Sequence, residues 1–235
     1  MRLLAFETAT RRLSVALWQD GALIERSALL PNGGSDVLLP WMHELLAEAG
    51  VALRQIDGIA FGAGPGGFTG LRLACGVTQG LAFGLEIPVL PVSTLAALAL
   101  AAGDGPIWTV LDARMNEVYG AAYAVAGEGV HELMPPQCAA PAVLPAPALC
   151  VPPGTFLGGR AVGDGFAVYG EVLLPRTSGI VHIPELYPTA AAVARLAAPL
   201  LARGEGVDAA AAQPVYVRDK VALTTAERLA RGGVR

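Results

Sequence analysis

Residues 58–84 read GIAFGAGPGGFTGLRLACGVTQGLAFG, an apolar strand that enters a glycine-dense loop and leaves it as a helix. The helix carries Gly76, Gly80 and Gly84 at four-residue spacing, so all three fall on one face. The loop Gly62-Ala63-Gly64-Pro65-Gly66-Gly67 can take positive φ at several positions, and its amides are free to approach a phosphate or another backbone. Taken literally, Gly62, Gly64 and Gly67 spell GxGxxG, with Glu86 about twenty residues on. A dinucleotide fold normally carries that motif in its first strand-helix unit, whereas three strands precede it here, and Pro65 fixes φ inside the turn. No Gly-Lys-Ser/Thr follows, which excludes a Walker A loop.

Each glycine inside a helix costs about 1 kcal/mol relative to alanine. Two accounts offset that cost: close packing of the helix on its own sheet, or close approach by a helix of another subunit. Spacing alone does not choose between them.

At 235 residues and 54% hydrophobic content the chain has material for one large or two small cores. A net charge of −4 gives no clustered Lys and Arg for nucleic acid, so any RNA is expected to be held by a partner. Cys75, Cys138 and Cys150 are odd in number and form no CxxC pair, which indicates neither a disulfide framework nor a zinc site and suits a reducing cytosol. MRLLAFETAT turns polar too soon for a signal peptide, and Arg72, Gln79 and Glu86 interrupt the apolar stretch 69–91 before it could span a bilayer. A cytoplasmic protein with no membrane segment is expected.

Outward from the glycine stretch, three β-type segments at 2–7, 13–19 and 22–29 open the chain, with Asp20-Gly21 as a hairpin turn. A helix over 36–49 places Val37, Leu38, Trp41, Leu45 and Leu46 at helical spacing, with Ser35 or Asp36 as N-cap and Gly50 as stop. Strands at 56–61 and 87–91 flank the loop and the helix 69–84 as a parallel crossover, and a helix over 93–102 closes a first lobe, 1–103. The second lobe, 104–235, starts alike, with strands at 107–111 and 117–125. Seven prolines between 134 and 154 predict an irregular, poorly ordered excursion. Pro188 is placed at the first position of a helix through 203, bent by Pro199 and stopped by Gly204. PVYVRDK reads as an extended piece, before a tail whose Thr224-Thr225-Ala226-Glu227 forms a capping box.

Few residues suggest chemistry. Glu7-Thr8-Ala9-Thr10 ends the first strand in a polar turn, either a magnesium or phosphate site or a capped hairpin. His43, His131 and His182 form no metal-binding pair, and no GxSxG elbow surrounds a serine. Asp112, Arg114 and Glu117 cluster at a hairpin, where a solvated turn is the default.

LLAFETAT, FGAGPGGFTGLRLACGVTQGLA and VSTLAALA, followed by DARMNEVYGAAY, VGDGF, YPTAAAVARLA and PVYVRD, together resemble the TsaB family over nearly the whole chain except 134–154. The resemblance implies an α/β actin-like ATPase (ASKHA) fold of two lobes, each built on a mixed sheet. It implies a non-catalytic subunit in bacterial synthesis of threonylcarbamoyladenosine, the modified adenosine beside the anticodon. Its implied partners are TsaD, the ATPase TsaE, and a second copy when TsaD is absent, with tRNA reached only through the complex. The implied pairing surface comprises Leu38, Met42 and Leu45 of the first helix, and Thr69, Arg72, Leu73, Gly76, Val77 and Gly80 of the second. Gly64, Pro65, Gly66 and Gly67 become the tight turn that presents it. Glu7, Thr8 and Asp112 are a candidate vestigial nucleotide site. Catalytic relatives carry Asp at the position of Glu7 and a glycine-rich turn where Ala113-Arg114 follow Asp112, so no metal and no tightly bound cofactor is expected. ATP and magnesium are expected only at the interface of the complex. The contrasting expectation is an actin-fold ATPase or phosphotransferase that uses Glu7, Thr8 and Asp112, with nicotinamide binding a third.

Overall fold

The computed structural model describes residues 1–30, 34–146, 158–177 and 179–218. Cys150, residues 147–154 of the proline-rich stretch and the capping box at 224–227 lie outside them.

The first sheet is built from β1 (Arg2–Glu7), β2 (Arg12–Gln19), β3 (Ala22–Leu29), β4 (Gly58–Gly64) and β5 (Val89–Ser93), ordered β3-β2-β1-β4-β5. Leu3, Leu4, Ala5 and Phe6 have no exposed surface, because β1 lies at the centre with both faces covered, and this is why its sequence is apolar without alternation. Asp20 and Gly21 both take positive φ (49° and 94°), the backbone that a two-residue hairpin of right-handed twist needs. The second sheet contains β6 (Gly105–Arg114), β7 (Glu117–Ala126), β8 (Gly129–Ala139), β9 (Arg160–Val162) and β10 (Val181–Ile183), ordered β10-β9-β6-β7-β8. Read from its other edge, this repeats the first: an antiparallel three-strand meander, then two strands added in parallel. Two mixed sheets of this order, joined by crossover helices, form the actin-like α/β fold.

The helices are α1 (Ser35–Ala49), α2 (Phe68–Leu85), α3 (Thr94–Ala102), α4 (Gly165–Leu173) and α5 (Ala190–Ala202). α1 and α2 cover the outer face of the first sheet, and α4 covers the outer face of the second around Trp108 and Phe166. α3 and α5 lie between the sheets, where Leu95, Leu98, Val193 and Ala197 are fully buried. Each such leucine contributes about 1.5–3 kcal/mol by leaving water. α3 needs no polar face, whereas α5 exposes Arg195 on its free side.

Several expectations are corrected. The helix in the second half of the chain, α5, packs on β1, β2, β4 and β5, so the lobe boundary at 103/104 separates the sheets but not the helices. Pro188 precedes the helix; Thr189 is the N-cap, its side chain accepting from the Ala192 amide. α1 is preceded by Gly34 with no side-chain cap, so neither Ser35 nor Asp36 has that role, while Gly50 ends it at φ 64° as read. Residues 134–139 belong to strand β8, whose register shifts between Met134 and Gln137. β8 is an edge strand with register shifts opposite Gly120–Tyr123, and such a site tolerates Pro135 and Pro136 because fewer ladder bonds are needed there. β9 and β10, three residues each, went unread.

Candidate functional site

The glycine loop approaches its own chain. Gly66 faces the end of the first strand so closely that a Cβ there would lie 2.6 Å from the Ala9 Cβ and 2.7 Å from its carbonyl oxygen. A Cβ on Gly70 would overlap the Thr8 carbonyl oxygen, and the Gly67 amide donates to Ala9 O at 2.8 Å. Gly64, at φ 117°, has the Val215 carbonyl oxygen 2.7 Å from where its Cβ would be, and the Gly64–Pro65 peptide is cis. Of the two partners the loop could take, it has taken backbone. This leaves the GxGxxG pattern no cradle for a pyrophosphate.

Gly62 makes room for Glu7, since a Cβ there would overlap the Glu7 carboxylate. That carboxylate is fully buried, accepting from the Ala9 amide at 2.7 Å and the Thr94 hydroxyl at 3.2 Å. Thr94 Oγ1 accepts in turn from the Gly64 amide at 3.2 Å. Burial pushes the Glu7 pKa up to about 7, with the bonds from Ala9 and Thr94 pulling the other way. Thr8 is buried beside it and donates its hydroxyl to Gly70 O at 2.7 Å. Of the two readings of this turn, the internal cap describes its contacts.

In the second lobe the tip of the turn is solvated, with Arg114 86% exposed, but the Asp112 side chain is only 7% exposed and pairs with Arg114 Nη1 at 3.0 Å. Its other oxygen accepts from the Arg114 amide at 2.8 Å. Arg114, Met115 and Asn116 all take positive φ at the tip. The Asp112 amide donates to Asp164, whose carboxyl is held above the usual carboxylate range by burial and by the Asp112 charge. Arg11 of the first lobe reaches across to the Tyr187 hydroxyl at 2.7 Å and lies over its ring. Glu7 and Asp112 share no partner among the described residues, and no group of three metal-ligating side chains occurs among them. The fold family implies magnesium-ATP between the lobes. The residues here do not fit it: Glu7 and Thr8 are buried and bonded to their own chain, the glycine loop is closed on Ala9, and Asp112 is bonded to Arg114.

α2 has the opposite character. Among the described residues, a Cβ at Gly76, Gly80 or Gly84 would meet nothing within 4 Å, so these glycines do not serve packing on the sheet. Thr69 and Arg72 are exposed on the same helix, Leu73 and Val77 are half-buried on its flanks, and Phe83 is 77% exposed near its end. The inner face is closed by Leu71, Ala74, Cys75, Thr78 and Ala82. Leu38, Met42 and Leu45, expected to share the pairing surface, are at most 1% exposed. An amphipathic helix has one apolar stripe, and in α1 the sheet takes it. The three residues are core.

Sequence reasoning missed the path of the chain after α5. Residues 205–218 form a strap that crosses back over both lobes. Val207 exchanges backbone bonds with Val89, Ala212 O accepts from Gln79 Nε2 at 2.7 Å, and the Val215 amide donates to Ala63 O at 2.7 Å. Tyr216 then meets Phe68 and Arg72, and the buried Arg218 pairs with Glu117 at 2.6 Å and donates to Ala113 O at 2.9 Å. The only signal was the alternation in PVYVRD.

Comparison with known proteins follows this geometry. Residues 34–152, about half of the chain, match the family model described as TsaD: tRNA N6-adenosine threonylcarbamoyltransferase. The Escherichia coli tRNA threonylcarbamoyladenosine biosynthesis protein TsaB is 36% identical over 230 residues, 94% of this chain and 96% of that protein. The Bacillus subtilis protein of the same name is 31% identical over 58% of this chain and 61% of its own length. Among solved structures, YeaZ from Pseudomonas aeruginosa superposes with a TM-score of 0.80 at 38% identity, covering 92% of this chain and 99% of that one. A second Pseudomonas aeruginosa structure, described as an uncharacterized protein with similarity to peptidase YEAZ, superposes at 0.83 with 39% identity over the same shares. With a match of this identity along nearly the full length of both chains, the chain belongs to the TsaB family.

Proposed function

We propose that the chain is a non-catalytic binding subunit that pairs through α2 with TsaD and, with TsaE, supports threonylcarbamoyl transfer to the adenosine beside the anticodon of tRNA. The open glycine face carries this reading. Gly76, Gly80 and Gly84 together cost the helix about 3 kcal/mol relative to alanine, and none of the described residues lies close enough to require them. Thr69, Arg72, Leu73, Gly76, Val77 and Gly80 form the pairing surface, on which a second copy docks when TsaD is absent. The turn Gly64-Pro65-Gly66-Gly67 sets the angle of that helix. Catalysis then belongs to the partner, in the cytoplasm where tRNA is modified, and tRNA reaches this chain through the complex. ATP and magnesium act at the junction with TsaD and are not held tightly by this chain. Among the described residues no helix is long and apolar enough to cross a membrane.

The test is co-purification. Tagged wild type should retain TsaD, whereas Gly76→Leu and Gly80→Leu should lose it, and lose self-pairing by light scattering, with a melting temperature no lower than that of wild type, since leucine removes the helix cost of glycine. Retention by both leucine variants sinks the surface. Calorimetric titration of the lone chain with magnesium-ATP addresses the contrasting reading, because tight binding with turnover would make it an enzyme in its own right.

A further inference from the structure

The glycine ridge does not begin at Gly76. Phe68, Arg72, Gly76, Gly80 and Gly84 are successive four-residue steps along α2, and its first two positions are gripped by the strap. The Tyr216 ring lies 5.4 Å from the Phe68 ring, centroid to centroid, and its hydroxyl accepts from Arg72 Nε at 3.3 Å. The Arg72 guanidinium carbon stands 5.9 Å from the Phe68 centroid. One ring below and one hydroxyl beside it hold the planar group. Its terminal nitrogens donate to nothing among the described residues, and the side chain is solvent-exposed.

We infer that the strap makes Arg72 a preorganised receptor for a carboxylate of the docking partner, with Tyr216 as its positioning residue. This rests on the pairing reading above and gives it a chemistry: TsaD brings an Asp or Glu to the head of the glycine ridge. The guanidinium offers paired N–H groups in a fixed plane, which suits bidentate carboxylate binding, and the ordering cost of a long side chain is met before docking. Tyr216 is itself anchored from both sides, by the Val215 amide on Ala63 and by Arg218 inside the second lobe, so the receptor does not depend on α2 alone. Tyr and Arg are also the residue types on which interfaces concentrate their affinity.

The experiment measures Kd for TsaD by calorimetry at low and high salt with wild type, Gly76→Leu, Arg72→Gln, Arg72→Lys and Tyr216→Phe, each checked for an undiminished melting temperature. Wild-type affinity should weaken with salt. Arg72→Gln should lose about tenfold in affinity and most of the salt dependence. Arg72→Lys should keep the salt dependence but bind several-fold more weakly, because it lacks the fork. Tyr216→Phe, which keeps the ring and removes the hydroxyl, should cost about two- to fivefold. If Gly76→Leu abolishes binding while Arg72→Gln stays within twofold of wild type with its salt dependence intact, the receptor is wrong and the pairing surface stands. If Gly76→Leu binds like wild type, the pairing surface fails and the receptor falls with it.

Discussion

Replacing Glu7 by glutamine should stabilise this protein at pH 8 and do little at pH 5. The folded carboxyl has a pKa near 7 against 4.5 for an ordinary glutamate, because burial disfavours its charge more than Ala9 and Thr94 favour it. Between those two values the folded state holds a proton that the unfolded chain has released, so stability falls as pH rises through the window. Below 4.5 the penalty is absent, and above 7 it is complete, at about 3 kcal/mol for a shift of this size. Glutamine is neutral throughout and nearly isosteric. Its carbonyl can accept from the Ala9 amide and its amide can donate to Thr94 Oγ1, although the Thr94 proton then needs a new acceptor, at a cost of about 1 kcal/mol. That cost is the same at every pH. Urea unfolding of wild type and Glu7→Gln at pH 5 and pH 8 should therefore show the variant gaining on wild type by about 2 to 3 kcal/mol between the two. At pH 8 its melting temperature should be higher by roughly 4–8 °C, given 2–4 °C per kcal/mol for a chain of this size. A stability difference that does not move with pH would refute the argument, since it would mean that Glu7 titrates as an exposed glutamate does.

Two neighbouring changes probe the packing. Gly62→Ala should destabilise by at least about 2 kcal/mol in denaturant titration, because the new methyl overlaps the Glu7 carboxylate, and a second change to Glu7→Ala should recover part of that loss. Thr189→Ala should cost about 1 kcal/mol by removing the cap on the Ala192 amide, seen as faster hydrogen exchange in the first turn of α5, whereas Pro188→Ala should leave that turn protected.

Most of the fold was legible because its signals were local. Asp20-Gly21 demanded a hairpin, Gly50 demanded a left-handed stop, and the apolar run before Gly62 could only be a buried strand followed by a crossover. β9 and β10 were illegible because three residues give no periodicity to read. α5 was misassigned because its alanines are equally at home against either sheet, and the Ala190 amide on the buried Ser14 hydroxyl, 176 residues apart, together with the Ala191 amide on Glu25, 166 residues apart, fixes which one. At the pairing surface the glycines were readable, since they break helix propensity without a local reason. Leu38, Met42 and Leu45 misled because an apolar stripe looks the same whether a sheet or a partner covers it. Tyr216 was invisible, as its role depends on a path the chain takes only after α5.

Because α5 roofs the inner face of the first sheet, that sheet cannot be finished while the ribosome is still making the second lobe. Leu3, Ala5, Ala16 and Ala60 wait for Val193 and Ala197, which emerge 100 and 104 residues after Ser93, the end of the last strand of their sheet. The nascent N-terminal half must therefore travel with an uncovered apolar face, a state that invites chaperone binding and long-range, slow closure. Cutting the chain between its sheets would leave two fragments that each lack a wall, so the apparent domain boundary marks no place where the protein can be divided.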